Sequence, residues 1–315
     1  MIQSPAILAT KTKKVRILIA GYPGIGKSTL GLSAPNPLHI DVDRGADRVK
    51  VYHRKPLIQP ENYGELLDDL RPNNITDFET LVFDTGGQLL KLMSSWAISK
   101  DAKYGQRDGS LSLKGYGYVG KEFERLMNYC YYELNKHIVI LFHAKEEKDN
   151  DNTRLRLLVE GQTKDNVWQP MDLGGFMEKH GNDTVIGFDN CERYFAKGTH
   201  GITGVHRIPV LTDKNNNDFL TRLFVQINEN ISKDAEIYEK ELLDYETVMN
   251  DVQQIIDGII SADTANEAVD KMRDVPFVLT AEREAKNMFG AKIKELGLIY
   301  NKESKTYREP GKAGA

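Results

Sequence analysis

Nine consecutive residues, Gly21, Tyr22, Pro23, Gly24, Ile25, Gly26, Lys27, Ser28 and Thr29, limit what this chain can be more than any other stretch. They follow Val15-Arg16-Ile17-Leu18-Ile19-Ala20, an apolar run that reads as a buried β-strand. They precede Leu30-Gly31-Leu32, which reads as a helix opening. Strand, glycine-rich loop, Gly-Lys-Ser and helix is the P-loop arrangement. Its glycines let backbone N–H groups turn inward around a polyphosphate, and the helix start adds unpaired donors and partial positive charge. In such a loop Lys27 reaches the β- and γ-phosphates, and Ser28 ligates Mg²⁺ through its hydroxyl.

Three further strands end on polar residues. Leu38-His39-Ile40-Asp41-Val42-Asp43-Arg44-Gly45 is a short strand closing on two acids and a glycine. In a parallel sheet, carboxylates at a strand's C-terminal end face the ligand crevice. Asp43 is therefore a candidate to orient and activate an attacking water. Because neighbouring strand residues alternate faces, Asp41 is the competing candidate, and a plain turn-capping role is open for Asp43. Phe78-Glu79-Thr80-Leu81-Val82-Phe83-Asp84-Thr85 is an apolar strand ending in the carboxylate that a Walker B site requires. Asp84 would hold the Mg²⁺ shell, through water or through Ser28. His137-Ile138-Val139-Ile140-Leu141-Phe142-His143 ends on His143, either a sensor of the γ-phosphate or a structural histidine. Helices are expected over 63–70, 88–98 and 122–134, and a strand over 154–160.

Residues 99–120 differ in character. Lys100, Lys103, Tyr104, Arg107, Lys114, Tyr116 and Tyr118 are interleaved with five glycines. Cations that meet phosphates and tyrosines that offer stacking faces suit single-stranded nucleic acid. A mobile surface loop without a ligand is the alternative. A second such segment, 161–181, carries Lys164, Trp168 as a stacking residue, and an expected helix over 171–180. Short strands are expected over 184–188 and 191–196. Lys197, His200, His206 and Arg207 punctuate a glycine-rich loop whose spacings match no zinc site.

After residue 231 the pattern changes. Segments 234–249, 251–260, 262–273 and 281–296 have helical periodicity, with Thr264 and Thr280 as helix starts and Glu267 completing a capping box with Thr264. The 315 residues therefore divide into a large domain over 1–230, a helical module for oligomerisation or partner docking over 231–300, and a disordered tail over 301–315. A net charge of −4 argues against a broadly basic nucleic-acid surface, so any such site is a local patch. Cys130 and Cys191 form no disulfide framework; both are expected in the core, in a reducing cytoplasm. The first 14 residues hold no signal peptide, and no apolar run reaches membrane-spanning length, so no membrane partner is expected.

In this order, the motifs resemble those of the phage nucleotide-binding proteins of the RecA-like recombinase group, over roughly residues 12–230. The likeness rests on residues 21–29, the strand ending Ile40-Asp41-Val42-Asp43-Arg44-Gly45, and the strands ending at Asp84 and His143. It implies a three-layer α/β core with a mainly parallel sheet, ATP and Mg²⁺ as cofactors, and hydrolysis linked to annealing or recombination of single-stranded DNA. Lys27, Ser28 and Thr29 would bind phosphates and Mg²⁺, and Asp84 would be the Walker B acid. Asp43 stands where the group's pattern has a catalytic glutamate, as the shorter residue. His143 would couple nucleotide state to two DNA-contacting loops, 99–120 and 161–181. Such ATPases form rings or filaments in which a neighbour supplies a cation; Lys197 and Arg207 are the candidates. A single-strand-binding protein or replisome component is a further implied partner, in the host cell cytoplasm.

Two rival functions fit the same loop. A small-molecule kinase also pairs Gly-Lys-Ser with a nearby acid, although no arginine-rich lid is evident. An ATP-gated annealing scaffold that binds DNA and hardly turns over would tolerate aspartate at position 43.

Overall fold

The computed structural model describes residues 12–149, 152–159, 166–210 and 216–310. They divide into two compact units, Thr12–Asn230 and the part beginning at Ile231.

The first unit is built on one sheet. In chain order its elements are β1 (Arg16–Gly21), α1 (Lys27–Gly31), β2 (Pro37–Asp41), β3 (Leu57–Ile58), α2 (Tyr63–Asp69), β4 (Thr80–Asp84), α3 (Gly86–Lys100), α4 (Leu113–Asn128), β5 (His137–Asp149), β6 (Asn152–Leu157), β7 (Leu173–His180), β8 (Asp183–Gly187), β9 (Val205–Ile208) and the start of α5 (Phe219–Asp257). The strand order is β3-β2-β4-β5-β1-β7-β8-β9, with β6 paired to the outer half of β5. Pairings from β3 through β7 are parallel; β7·β8, β8·β9 and β5·β6 are antiparallel. The sheet is thus mainly parallel, with helices on both faces, as the α/β reading expected.

The sheet's strands are apolar on both faces because both faces are covered. Leu18, Ala20, Ile40, Phe83, Ile140 and Phe142 pack with Tyr63 and Leu66 of α2, Leu89 and Met93 of α3, and Phe123 and Met127 of α4. Each Leu, Ile, Phe or Met side chain among them, fully buried, contributes about 1.5–3 kcal/mol. The alternate residues Ile17, Ile19, Val82, Val139 and Leu141 are equally buried. On that side α1 lies close, and the start of α5 is anchored where the Leu220 N–H donates to Ser33 Oγ at 3.0 Å and Asn217 Nδ2 to the Thr29 carbonyl at 2.8 Å.

Several expectations are corrected. Where a helix is expected over 171–180, strand β7 (Leu173–His180) stands instead; it pairs with β1 on one side and β8 on the other. Residues 191–196 form no strand, only an isolated bridge from Tyr194 to Leu155. Arg207 and His206 lie on β9, not in a loop. The helix expected over 122–134 begins at Leu113, which takes in the last part, 113–120, of the segment read as a flexible loop. Cys130 is buried, but Cys191 is exposed.

In the second unit the two helices expected over 234–249 and 251–260 are one, since α5 continues to Asp257. It is followed by α6 (Ala262–Arg273), α7 (Ala281–Glu295) and a hairpin of β10 (Ile299–Asn301) with β11 (Thr306–Arg308). Its own core gathers Val252, Ile256, Ile259, Ala265, Ala281, Ala285 and Leu298, with Phe289 and Tyr307 packed against it. The hairpin overturns the expected disorder for residues 301–310. The cap of α6 is Ser261, whose side chain accepts from Thr264 N–H while Thr264 Oγ1 accepts from Ser261 N–H. The capping box therefore starts three residues before the one read at Thr264 and Glu267.

Candidate functional site

The site lies where β1, β2 and β4 end, beside His143 in the middle of β5; the strand expected to stop at His143 continues to Asp149. Gly21 is in register with His143 on β5, and Asp41 with Asp84 on β4. Asp84 thus sits one strand away from the loop that leaves β1, with β5 between them. A cavity of about 150 Å³ is lined by Gly24, Gly26, Lys27, Ser28, Thr29, Asp43, Arg48, Asp84, Thr85 and His143. Gly24 and Gly26 have φ of +77° and +102°, the left-handed region that side chains disfavour. That conformation turns the chain from β1 into α1, whose Leu30 N–H returns to the Gly26 carbonyl at 3.0 Å. Pro23 is exposed and Ile25 half-buried. Tyr22 donates its hydroxyl to Glu146 Oε1 at 2.6 Å, which ties the loop to the far half of β5.

Lys27 is buried, with 5% of its surface exposed. Its ammonium donates to the Gly21 carbonyl at 3.0 Å and the Tyr22 carbonyl at 2.8 Å, and lies 3.1 Å from His143 Nδ1. An ammonium only donates, so Nδ1 accepts and the imidazole proton sits on Nε2. Burial pulls the Lys27 amine down to about 8 against the attraction of Asp84 and Asp43. Burial and the Lys27 charge likewise depress His143.

The two acids after β2 have different surroundings. Asp41 is fully buried and accepts from the Gly45 and Ala46 N–H groups at 2.9 and 3.1 Å and from Gln59 Nε2 at 2.7 Å. Its oxygens are spent on shaping the turn. Asp43 lines the cavity and pairs with Arg48 Nη1 at 3.2 Å. Of the two, Asp43 is the acid facing Lys27.

Asp84 is buried, which disfavours its charge, but hydrogen bonds from His39 and Ser28 and the nearby Lys27 ammonium outweigh that and hold its carboxyl below the usual range. Oxygen donors from Ser28, Asp84 and Asp43 around one small cavity suit Mg²⁺, which takes few protein ligands and completes its shell with phosphates and water. No cluster of three or more His, Cys, Asp or Glu among the described residues is placed to hold a metal unaided.

The residues proposed to meet DNA fare differently. Tyr104 stacks on Tyr118 at 4.4 Å between ring centroids, and Tyr118 on Trp96 at 6.1 Å. These faces are turned to each other. Lys103 pairs with Asp101 at 2.6 Å, while Arg107 and Lys114 are exposed. Tyr116 lines a second cavity of about 620 Å³, which shares Thr85 and His143 with the first and is also bordered by Lys91, Ser94 and Lys145. Trp168 is half-buried and packs edge-on against Phe195 at 4.9 Å. Lys164 lies outside the described residues. Of the two candidate trans cations, Lys197 donates to the Met171 carbonyl of its own chain, and Arg207 pairs with Asp183 at 2.6 Å.

Sequence reasoning missed His39, Arg48 and Thr85. Strand alternation puts His39 on the same face as Asp41, a signal that was available. Thr85 caps α3 by accepting from the Gln88 N–H at 3.4 Å, and Thr before Gly-Gly at a strand end is a readable cap. Arg48 follows a turn and left no periodic trace.

A lysine- and serine-bearing glycine loop after β1, with an acid across one intervening parallel strand, defines a P-loop NTPase core. A family model described as an AAA domain matches residues 13–200, and the chain belongs to that family. The domain is a nucleotide-binding, ATP-binding one. No curated protein matches the chain. Among the described residues, no helix is long and apolar enough to cross a membrane.

Proposed function

We propose that the chain is an Mg²⁺-dependent ATPase of the RecA-like recombinase type, working with single-stranded DNA in phage recombination, annealing or repair. The observation that carries the hydrolytic part is the gathering of Lys27, Ser28, Asp43, Asp84 and His143 around one cavity. Lys27 and the loop N–H groups would hold the phosphates, Ser28 and Asp84 the Mg²⁺ shell, and Asp43 the attacking water, with Mg²⁺ neutralising charge on the phosphates. Catalysis of this kind is positioning and charge neutralisation. The DNA part is supported by the exposed Arg107 and Lys114 and by the resemblance of the motif order to the phage group; with Tyr104 and Tyr118 stacked on each other, these cations favour a phosphate-binding mode over base stacking. Assembly into a ring or filament, and docking of a further partner on the helical unit, belong to the same proposal.

The test is the ATPase rate with and without single-stranded DNA, alongside DNA retention at low salt. Stimulation is expected; no stimulation together with no retention defeats the DNA reading. Lys27→Ala should lower turnover roughly a hundredfold, the scale of losing one preorganised charge-stabilising group. If Asp43→Ala hydrolyses like wild type while Lys27→Ala is dead, Asp43 is not the base.

A second reading, phosphoryl transfer to a small acceptor, is favoured by the 620 Å³ cavity that adjoins the phosphate site at Thr85 and His143. Transfer of labelled γ-phosphate to a metabolite, without DNA stimulation, would select it.

A further inference from the structure

We infer that His39 is a positioning residue that sets the orientation of the Asp84 carboxylate toward the metal. The inference rests on the Mg²⁺–nucleotide reading above. His39 lies on β2 opposite Val82 of β4. Residues in register on neighbouring strands point to the same face, so His39, Asp41, Val82 and Asp84 share one side of the sheet. Asp84 is then the diagonal neighbour of His39, a spacing that a long side chain spans. The imidazole spans it, with Nε2 at 3.3 Å from Asp84 Oδ2. His39 and Asp84 are 2% and 8% exposed at their side chains, so water does not compete for the contact.

The turn that leaves β2 also fixes the backbone of Asp84. Its carbonyl accepts from the Val42 N–H at 2.8 Å and the Asp43 N–H at 3.0 Å. β2 and the turn after it therefore hold Asp84 at both ends, the strand at the carboxylate and the turn at the carbonyl, while the turn presents Asp43 to the cavity. With the carbonyl held, the freedom left to Asp84 is rotation of its side chain, and the His39 Nε2–H restrains it by engaging one oxygen. The carboxylate is then held in one plane relative to Ser28. Mg²⁺ demands near-ideal octahedral geometry and tolerates little ligand misplacement. Partners that orient a metal-binding group matter for affinity on the scale of tenfold or more. A histidine at this buried position also needs a polar partner for its ring N–H, since burying one unpaired is costly; Asp84 provides it.

The experiment measures Mn²⁺ affinity by electron paramagnetic resonance on the full chain with a non-hydrolysable ATP analogue, and nucleotide binding in EDTA. His39→Leu removes the donor. His39→Asn keeps a polar group that falls short of Asp84, and His39→Gln carries an amide N–H to about the place of Nε2. Leu and Asn variants should bind Mn²⁺ roughly tenfold more weakly, with metal-free nucleotide binding kept and the Gln variant restored toward wild type. A merely structural role would lower melting temperature and leave Mn²⁺ affinity alone. Should His39→Leu fail to fold, the Asn and Gln pair decides. Wild-type Mn²⁺ affinity in the Asn variant, or no difference between Asn and Gln, overturns the inference while leaving the nucleotide reading intact. No Mn²⁺–nucleotide binding by the wild type overturns that reading and this inference with it.

Discussion

His137 begins β5 in a setting that forbids its charge. Its Nδ1 accepts from the Val15 N–H at 3.0 Å, its ring stacks on Phe224 at 4.7 Å, and burial lowers it from an ordinary 6.5 to about 3. As pH falls below 6.5 the unfolded chain takes up a proton that the folded chain refuses until about 3. Stability at this residue is therefore complete above 6.5 and is lost across that window, by up to about 1.4 kcal/mol per pH unit. His143, depressed in the same sense, adds to the loss. Urea melts at pH 7 and pH 5 should show a smaller acid penalty in His137→Gln than in wild type. An equal penalty would mean that the proton goes elsewhere. At Lys27 the chemistry is charge placed where burial resists it, with three partners holding the ammonium. Arginine has a planar fork instead of a point charge, so Lys27→Arg should not rescue nucleotide affinity in a binding titration.

Among the elements, α4 shows how local contacts turned a glycine- and tyrosine-rich segment into ordered structure. Ser112 caps the helix by accepting from the Gly115 N–H at 3.1 Å, and its hydroxyl donates to the Lys103 carbonyl at 2.8 Å. A side chain at Gly115 would come within 2.2 Å of the Tyr104 carbonyl oxygen, so glycine there permits the close approach. Ser112→Ala should cost about 1 kcal/mol and Gly115→Ala more, read as a lower urea midpoint with unchanged slope. The Ser112–Lys103 and Gly115–Tyr104 approaches close back over the irregular stretch between α3 and α4. No periodicity in 99–120 announces them, and cations among glycines read as a loop. β7 misled for a different reason. Leu173, Phe176 and Met177 fit a helical stripe in a short apolar run, and only pairing with β1 and β8 decides for a strand. By contrast, β1, β4 and the start of β5 were legible because unbroken apolar runs that end at a glycine loop or a polar residue have few other solutions. That legibility reached the residues around the cavity which end strands or sit in the glycine loop. It stopped at His39, whose contact crosses from β2 to β4, and at Arg48, which pairs with Asp43 within an irregular turn.

For the molecule as a whole, two units with separate cores make separate stability contributions. Val252→Ala, at a fully buried position of the second core, should lose about 1–3 kcal/mol there. In calorimetry it should move one transition and spare the one that shifts with added nucleotide. Movement of both by the same amount would show a single cooperative fold. β5 has a bearing on how the first unit responds to a partner. Its first half is the strand between β1 and β4, its second half pairs with β6, and His143, beside Lys27, stands at the changeover with no loop on either side. A pull or twist on that two-stranded arm meets no joint before it reaches the lysine, and the Tyr22–Glu146 bond gives it a second grip on the same loop. The arm and the nucleotide loop are mechanically in series. One glycine inserted between His143 and Ala144 would act as slack: nucleotide affinity in EDTA should persist, while any effect of an arm-bound partner on turnover should fade.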